Sequence, residues 1–312
     1  MKNFSPWTKR IAAFVLAAAM LVTSSACGKK GGDTSSTSQP GSSATSSSSE
    51  APSKPERPHQ EPVAPSKEAA DKLNEKIAIN EDVVGWLRVP DTEVDEEILQ
   101  GPAKADGFDV LKDGEFYERR DINKAYNWYG CYFADYESTV GNRNEMSDIV
   151  TIYGHSMDDD PDSDKFSKLK RYKEQKFAEE HPYFYLTTPD DDMTFKVFAV
   201  LYTDWKNLPY YYPNEAALKS ASEKNKDIKL TTIKGIIDEM KNRSLFDYDV
   251  EVDDTDKLVV LSTCTYLYGN TKEEKEQYRF LVVGRLLRPD EDASAATIKL
   301  SENTDAKKAT DA

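Results

Sequence analysis

The sequence KLVVLSTC at residues 257–264 is followed, after a short polar stretch, by YRFLVVGRLL at residues 278–287. Both runs are rich in β-branched and aromatic side chains and are bounded by turn-forming residues, as buried strands are. Five earlier runs share this character: VVGWLRV (83–89), WYGCYFADY (128–136), DIVTIYGH (148–155), YFYLTT (183–188) and TFKVFAVLYTD (194–204). The chain is therefore predicted to be mainly β.

Two stretches have the periodicity of helices instead. Residues 67–80 (KEAADKLNEKIAIN) predict a leading helix. Residues 230–243 (LTTIKGIIDEMKNR) predict a second helix, because its apolar side chains recur on one face. Many strands with few helices indicate a closed or nearly closed β-barrel that carries helical insertions.

The first 27 residues have the pattern of an export signal, in which Lys2, Lys9 and Arg10 precede an apolar run at residues 11–22. At 1.5 Å per residue that run reaches only about 18 Å, well short of the roughly 30 Å hydrocarbon core of a bilayer. The small residues before Cys27 resemble the lipobox of bacterial lipoproteins. This resemblance predicts cleavage before Cys27 and lipidation of its thiol. An ordinary cleaved signal and an uncleaved membrane anchor remain as alternatives.

Two further segments lack the apolar pattern of a packed domain. Residues 28–66 are rich in Ser, Gly and Pro, which predicts a flexible tether. Residues 289–312 are polar and are predicted to form a mobile tail. Residues 67–288 remain as one folded domain, and about 220 residues suffice for one good core.

The charge and the cysteines exclude several classes of function. The 312 residues carry a formal net charge of −15 without a basic stripe, so nucleic acid is not expected as a partner. The three cysteines, Cys27, Cys131 and Cys264, have no CxxC or Cys/His metal spacing. No metal or other cofactor is therefore implied. Cys131 lies within an aromatic strand run and is interpreted as a small core residue.

Cys264 and His155 each end an apolar strand run. The other two histidines are poorer candidates, since His59 lies in the Pro-rich tether and His181 lies beside a proline. A thiol nucleophile and its acid/base partner are commonly far apart in sequence and adjacent in the fold. Spacing alone equally allows each residue an ordinary place in the core or on the surface.

Several segments together resemble the class B sortases, the cysteine transpeptidases that attach proteins to the cell wall of Gram-positive bacteria. The matching stretches are NEDVVGWLRVPDTEVDEEILQG, YGCYFAD, TIYGHSM, FSKLKRYKEQKFAEEHPYFYLTTPD, LSTC and YRFLVVGRLL. They span residues from about 73 to 288, in the family's order of His, Cys and Arg. The resemblance implies a sortase-type closed eight-stranded β-barrel with an N-terminal helix and helical insertions, and it makes residues 67–288 the catalytic domain.

The resemblance assigns Cys264 as the nucleophile, His155 as the general acid/base and Arg279 as the stabiliser of the oxyanion. A neighbouring imidazolium and guanidinium would favour the thiolate, and a guanidinium suits an oxyanion. Arg285 shares a strand face with Arg279 by period-two counting and is its rival. The positions two before the His and the Cys are Tyr153 and Ser262. Both are predicted to contact substrate, with packing as the alternative.

The reaction that the resemblance implies is transpeptidation. The enzyme would cleave a C-terminal sorting signal after Thr, form a thioacyl intermediate and transfer the protein to a peptidoglycan or pilin amine. Its partners would be surface proteins bearing sorting signals. Its place would be the extracytoplasmic face of the membrane of a Gram-positive cell, reached through an N-terminal lipid or helix anchor. Two other hypotheses stay open: a solute-binding or scaffold lipoprotein, and a cysteine peptidase that uses water as acceptor.

Overall fold

Strands dominate the computed structural model, which describes residues 59–102, 114–294 and 297–311. The strands are β1 (Val83–Val89), β2 (Val94–Leu99), β3 (Tyr132–Ala134), β4 (Ile149–Tyr153), β5 (Tyr183–Thr188), β6 (Asp191–Asp204), β7 (Phe246–Asp247), β8 (Leu258–Cys264), β9 (Tyr278–Leu286) and β10 (Ser301–Glu302). Eight of them close into a barrel in the order β1-β2-β3-β4-β8-β9-β6-β5. The sequence-based expectation of a closed eight-stranded barrel is confirmed.

Helices lie before the barrel strands and between them. They are α1 (Lys67–Ile79), α2 (Gln175–Glu180), α3 (Glu215–Lys224), α4 (Ile233–Arg243) and α5 (Lys272–Lys275), and a 3₁₀ helix covers Lys165–Lys173. The two helices with clear periodicity, α1 and α4, are the two that the sequence predicts. Each begins at a capping hydroxyl, since Ser66 accepts from the Ala69 N–H and Thr232 accepts from the Gly235 N–H.

Strand β8 is apolar throughout because both of its faces are buried. Val259 and Leu261 pack into one apolar cluster, and Leu258 and Val260 pack into another. The second cluster also contains the apolar face of α4, which includes Ile236. A strand covered on both faces reads as a continuous apolar run rather than an alternating one. Full burial of each such side chain contributes roughly 1.5 to 3 kcal/mol.

Strand pairing brings three candidate residues to one end of the barrel. Strands β4 and β8 are parallel, with Tyr153 opposite Ser262, so the residues that follow them emerge on the same side. His155 lies two residues beyond the end of β4, and Cys264 is the last residue of β8. Strands β8 and β9 are antiparallel, with Cys264 opposite Arg279. The barrel topology therefore gathers the ends of three strands.

Strand β2 was missed by the sequence patterns because its middle is acidic. Asp95, Glu96 and Glu97 follow one another in this strand, which pairs with β1 on one side and β3 on the other. Glu96 forms an ion pair with Lys165, and Glu97 forms one with Lys76. Cations from other elements therefore make an acidic strand acceptable on the barrel surface.

The tail differs from the mobile segment that its composition predicts. Strand β10 pairs with β7, with Ser301 opposite Asp247. Further along, the carbonyl of Ala309 accepts from the Asp204 N–H at the end of β6. The buried guanidinium of Arg243 donates to the carbonyls of Lys308 and Asp311. The described tail therefore packs on the domain, because its backbone supplies acceptors that a buried arginine and a strand end require.

The last residues of the predicted tether are also bound to the domain. Val63 donates its N–H to the carboxylate of Asp191 and accepts from the Asp192 N–H. Asp191 is fully buried and also forms a bidentate ion pair with Arg143. The predicted signal segment, Cys27 and the tether up to residue 58 lie outside the described residues. Within the described ranges, no helix combines the length and the apolar character needed to cross a bilayer.

Candidate active site

Cys264 opens onto a cleft of about 380 Å³ at the end of the barrel where β4 and β8 finish. Its lining includes all five residues that the sequence singles out for the site: Tyr153, His155, Ser262, Cys264 and Arg279. The thiol is unpaired and partly exposed. The structure thus brings together residues that are up to 126 positions apart in the sequence numbering, Tyr153 and Arg279.

The backbone of Glu118 determines the orientation of the His155 ring. His155 Nε2 lies 2.8 Å from the Glu118 carbonyl oxygen. A carbonyl oxygen can only accept, so Nε2 carries the hydrogen and Nδ1 of the neutral ring has the free lone pair. The preceding residue must be small, because a Cβ on Gly154 would lie 2.7 Å from ring atoms of Phe166 and Tyr132. The fold therefore selects one tautomer, in which Nδ1 carries the free lone pair.

The charge state of His155 differs from the expected imidazolium. Burial and, after it, the positive charges of Arg119 and Arg279 together lower the pKa of His155 to about 4, although the bond to the Glu118 backbone opposes them. The imidazole is therefore neutral at pH 7 in this state. The positive charge that faces the Cys264 thiol comes from Arg279 instead.

Arg279 is held in place by backbone carbonyls. Its Nη1 donates to the carbonyls of Glu276 at 2.7 Å and Tyr278 at 3.0 Å. Burial alone would lower the pKa of Arg279, but the anionic forms of Cys264 and two tyrosines raise it overall. The guanidinium stays charged, and Cys264 is its largest electrostatic partner.

The rival arginine lies at the other end of the barrel. Arg285 pairs in register with Leu258, the first residue of β8, whereas Arg279 pairs with Cys264, the last. The Arg285 guanidinium is buried in an ion pair with Glu291. Arg279 and Arg285 therefore lie on the same face of the strand but far apart, because six residues along a strand span roughly 20 Å.

Tyr153 and Ser262 line the cleft, and both hydroxyls already have hydrogen-bond partners. Tyr153 donates to Asp135 Oδ2 at 2.9 Å. Burial raises the pKa of Asp135, an effect that this bond opposes. The Ser262 hydroxyl shares a 2.9 Å hydrogen bond with the hydroxyl of Tyr210. The two predicted positions therefore belong to polar pairs that line the cleft wall.

The sequence patterns missed the aromatic wall of the cleft. Trp205, Tyr210 and Tyr211 line it from the segment between β6 and α3. The only sign in the sequence is the run LPYYYP at residues 208–213, where three tyrosines lie between prolines. Glu118 was also missed, because nothing in its local sequence marks it, although its carbonyl oxygen binds His155 Nε2 and its carboxylate Oε1 lies 3.8 Å from the same nitrogen.

Cys131 contrasts with Cys264. It is buried in an apolar cluster with Phe133, and burial raises the pKa of its thiol to about 12. Such a thiol is protonated and unreactive at neutral pH. This agrees with the interpretation of Cys131 as a small core residue.

No family model matches the chain. The chain is 28% identical to Sortase B of Listeria monocytogenes over 221 residues, which covers 70% of this chain and 76% of the relative. It is 26% identical to Sortase B of Staphylococcus aureus over 230 residues, which covers 74% and 78%. The X-ray structure of Clostridium perfringens sortase B superposes with a TM-score of 0.51 at 23% identity, covering 69% of this chain and 99% of that one.

These likenesses agree with the site geometry. The structural match carries the fold, and the two sequence matches span most of both chains. The cleft joins a partly exposed thiol, a neutral imidazole and a charged guanidinium, which is the equipment of a cysteine acyl-transfer enzyme. The chain is therefore similar to the class B sortases in sequence and in fold.

Proposed function

We propose that Cys264 is the nucleophile of a sorting reaction in which His155 moves the proton and Arg279 stabilises the oxyanion. The observation that carries this proposal is the pairing of Cys264 with Arg279 across β8 and β9, with His155 lining the same cleft. The substrate is a surface protein with a C-terminal sorting signal that is cleaved after Thr. The acceptor is an amine of the peptidoglycan or of a pilin.

Acylation begins with transfer of the Cys264 proton to His155 Nδ1. The thiolate attacks the Thr carbonyl, a C–S bond forms, and the carbonyl oxygen becomes an oxyanion facing the Arg279 guanidinium. His155 then returns its proton to the leaving amine as the C–N bond breaks. The products of this half-reaction are a thioacyl enzyme and a released C-terminal peptide.

Transfer to the acceptor reverses the proton movements. His155 Nδ1 removes a proton from the incoming amine, which attacks the thioacyl carbonyl. A second oxyanion forms at the same position, the C–S bond breaks, and the sulfur leaves as a thiolate that regains the proton. A neutral His155 supports this step, because an imidazolium could not accept a proton from the amine.

The cleft wall supports an extended peptide as ligand. Trp205 and Tyr211 offer partly exposed aromatic surface in the cleft of the nucleophile, and Tyr153 and Ser262 line the same cleft with hydroxyls that bind Asp135 and Tyr210. We assign substrate contact to these side chains. A wall with aromatic surface and hydroxyl groups suits a short motif with Pro and Thr better than a compact polar solute.

The N-terminal segment would hold the enzyme at the cell envelope of a Gram-positive bacterium. Residues 1–27 end in the lipobox-like pattern, so Cys27 would carry a lipid, and the part of the predicted tether (residues 28–66) that precedes Val63 would form the spacer. The spacer would end where Val63 binds Asp191. Asp191 begins β6, whereas the cleft lies at the other end of that strand, so the mouth of the cleft would face away from the attachment point.

Mass spectrometry of the full-length protein in detergent micelles tests the proposed reaction. The protein is incubated with LPxTG-like, NPxTN-like and PPxTG-like peptides, with and without an amine acceptor. We expect an acyl adduct on Cys264 that the amine releases as a conjugate. Cys264→Ala should abolish the adduct, and the matched control Cys131→Ala should retain it.

The products also separate the competing hypotheses. Release of free acid at an equal rate with and without amine would make the protein a peptidase. Absence of any adduct, with Cys264 and Cys131 equally slow toward a thiol reagent near pH 7, would favour a binding lipoprotein. Mass measurement of the N-terminal peptide decides whether Cys27 carries a diacylglycerol.

A further inference from the structure

An ion pair with a buried lysine and a partly exposed aspartate lies directly behind the two catalytic segments. Lys170 belongs to the 3₁₀ helix, and its side chain is 1% exposed. Its ammonium lies 2.6 Å from Asp159 Oδ1. Asp159 belongs to the loop that begins just after His155, so the pair joins the helix to the histidine loop.

The carboxylate of Asp159 binds the chain immediately after the nucleophile. Oδ1 accepts from the hydroxyl of Thr265 at 2.8 Å, and Oδ2 accepts from the Tyr266 N–H at 2.7 Å. Thr265 is fully buried and follows Cys264 directly. Both oxygens of one carboxylate are therefore used to hold the end of β8.

The ammonium of Lys170 binds the chain immediately after the histidine. It donates to the Ser156 hydroxyl and to the Asp158 carbonyl, each at 2.6 Å. Ser156 is next to His155 and is buried. The Tyr266 hydroxyl also donates to the Ser156 carbonyl at 2.8 Å. With Asp159 as its third partner, the ammonium has used all three of its donors.

This network continues the contact between the two segments where the sheet stops. The ladder between β4 and β8 ends at Tyr153 and Ser262, and its last backbone bond runs from the Gly154 N–H to Ser262. His155 lies beyond that point and Cys264 at its limit, so the ladder alone does not set their separation. The ion pair bridges the residues that follow each of them.

We propose that Asp159 and Lys170 are positioning residues, which set the separation of His155 and Cys264 and leave both residues in the cleft lining. This inference rests on the proposed roles of Cys264 and His155. A fully bonded ion pair with a buried lysine has few alternative arrangements, because any other one leaves a buried charge without a partner. The pair is therefore suited to setting a distance between two chain segments.

The same pair also affects the charge near the thiol. The groups that face Lys170 are the carboxylates of Asp159 and Asp158 and the thiol of Cys264. A thiolate at Cys264 would therefore experience Lys170 as an attraction and Asp159 as a repulsion. Removing one or the other should shift the pH at which Cys264 becomes reactive in opposite directions.

Substitution of Thr265 tests the link without removing a buried charge. Thr265→Val keeps the shape but loses the hydroxyl that binds Asp159, and Thr265→Ser keeps the hydroxyl. We expect kcat of Thr265→Val to fall about 10-fold with little change in KM, since displacement of a reacting group by a fraction of an ångström suffices for such a loss. Thr265→Ser should return kcat to within about twofold of the parent.

The charge variants are Asp159→Asn, Lys170→Met and the double variant, with Asp162→Asn as the matched control. Asp162 lies in the same loop and pairs with Arg171, but it is exposed and contacts neither catalytic segment. We expect kcat to fall in each single variant. The double variant should have a kcat no lower than that of the less active single variant, since the two residues act as a unit. Asp162→Asn should behave as the parent, and thermal melting confirms that every variant is folded at the assay temperature.

Alkylation of Cys264 by iodoacetamide between pH 5 and 10 gives a readout that needs no peptide. We expect the midpoint to rise in Lys170→Met and to fall in Asp159→Asn. Values of kcat within twofold of the parent in Thr265→Val and Asp159→Asn would overturn the positioning role. If the parent itself has no turnover, the proposed function has failed. The alkylation midpoints then decide whether Asp159 and Lys170 act on Cys264, and unchanged midpoints in both variants would overturn the inference.

Discussion

Replacement of Arg279 by lysine isolates the contribution of the guanidinium to the reaction. Both N–H groups of Nη1 are occupied by the carbonyls of Glu276 and Tyr278. The Nε hydrogen and the two hydrogens of Nη2 remain for the oxyanion. A lysine ammonium has only three donors on a flexible stem, so the same two carbonyls would leave one donor without a fixed direction.

The structure therefore predicts the loss of at least one oriented donor. Loss of one such donor costs about 2.7 to 4 kcal/mol of transition-state stabilisation, or about 100 to 1000-fold in kcat. Because substrate contacts along the cleft wall are retained, KM should change far less. The assay is single-turnover formation of the thioacyl enzyme, followed by mass spectrometry with the peptide that gives an adduct.

Arg285→Lys is the matched control, since it makes the same substitution on the same strand at the far end of the barrel. It should lower the melting temperature, because the buried pair with Glu291 is weakened, and leave the acylation rate near that of the parent. A rate for Arg279→Lys within about threefold of the parent would refute the reasoning. An equal loss in both variants would assign the effect to stability.

Three further outcomes follow from the structure. His155 has a pKa of about 4 in the folded protein, so its contribution to stability is present above pH 6.5 and is lost as the pH falls toward 4, by about 3 kcal/mol. Urea unfolding at pH 7 and pH 4.5 should show a smaller loss of stability in His155→Gln than in the parent. An equal loss in both proteins would contradict this prediction. Gly154→Ala should lower kcat at least 10-fold and stability by about 1 to 3 kcal/mol, because the new Cβ would lie 2.7 Å from two aromatic rings. Peptide turnover and thermal melting measure the two effects, and parental values would show that the rings move aside for the methyl group. Arg243→Met should cost about 3 kcal/mol of unfolding free energy, because it leaves tail carbonyls and Glu239 without their buried partner. The control Lys234→Ala, on the exposed face of α4, should cost under about 0.5 kcal/mol. Equal unfolding midpoints of the two variants in urea would mean that the tail does not stabilise the domain.

The strands were predictable where both faces or one face are buried. Strands β1 and β5 have the predicted bounds, and the bounds of β8 and β9 differ from the predicted ones by one residue. Such apolar and β-branched runs are predictable because their exposure to water is unfavourable. Strand β2 and helix α3 were not predicted. The acidic residues of β2 are stabilised by cations from other elements, and α3 buries only Leu218, so both local sequences resemble loops.

The tail and the end of the tether were predicted to be mobile because composition reports the average tendency of a segment. It does not report single contacts. Arg243 and Asp191 are buried charged groups, and each binds backbone atoms of a polar terminal segment. A few strong hydrogen bonds to a buried charge thus order a stretch that has few apolar side chains of its own.

The sequence by itself determined the barrel class and named Cys264 and His155 as candidates, because strand ends and rare residue types are local properties. Only the tertiary structure placed Arg279 in the cleft with Cys264 and Arg285 at the far end of the barrel, chose the tautomer of His155 and made its ring neutral. It also placed Asp159 against Thr265, 106 positions away. Each of these depends on which charges and backbone atoms surround a side chain, and in a closed barrel those neighbours come from distant parts of the chain.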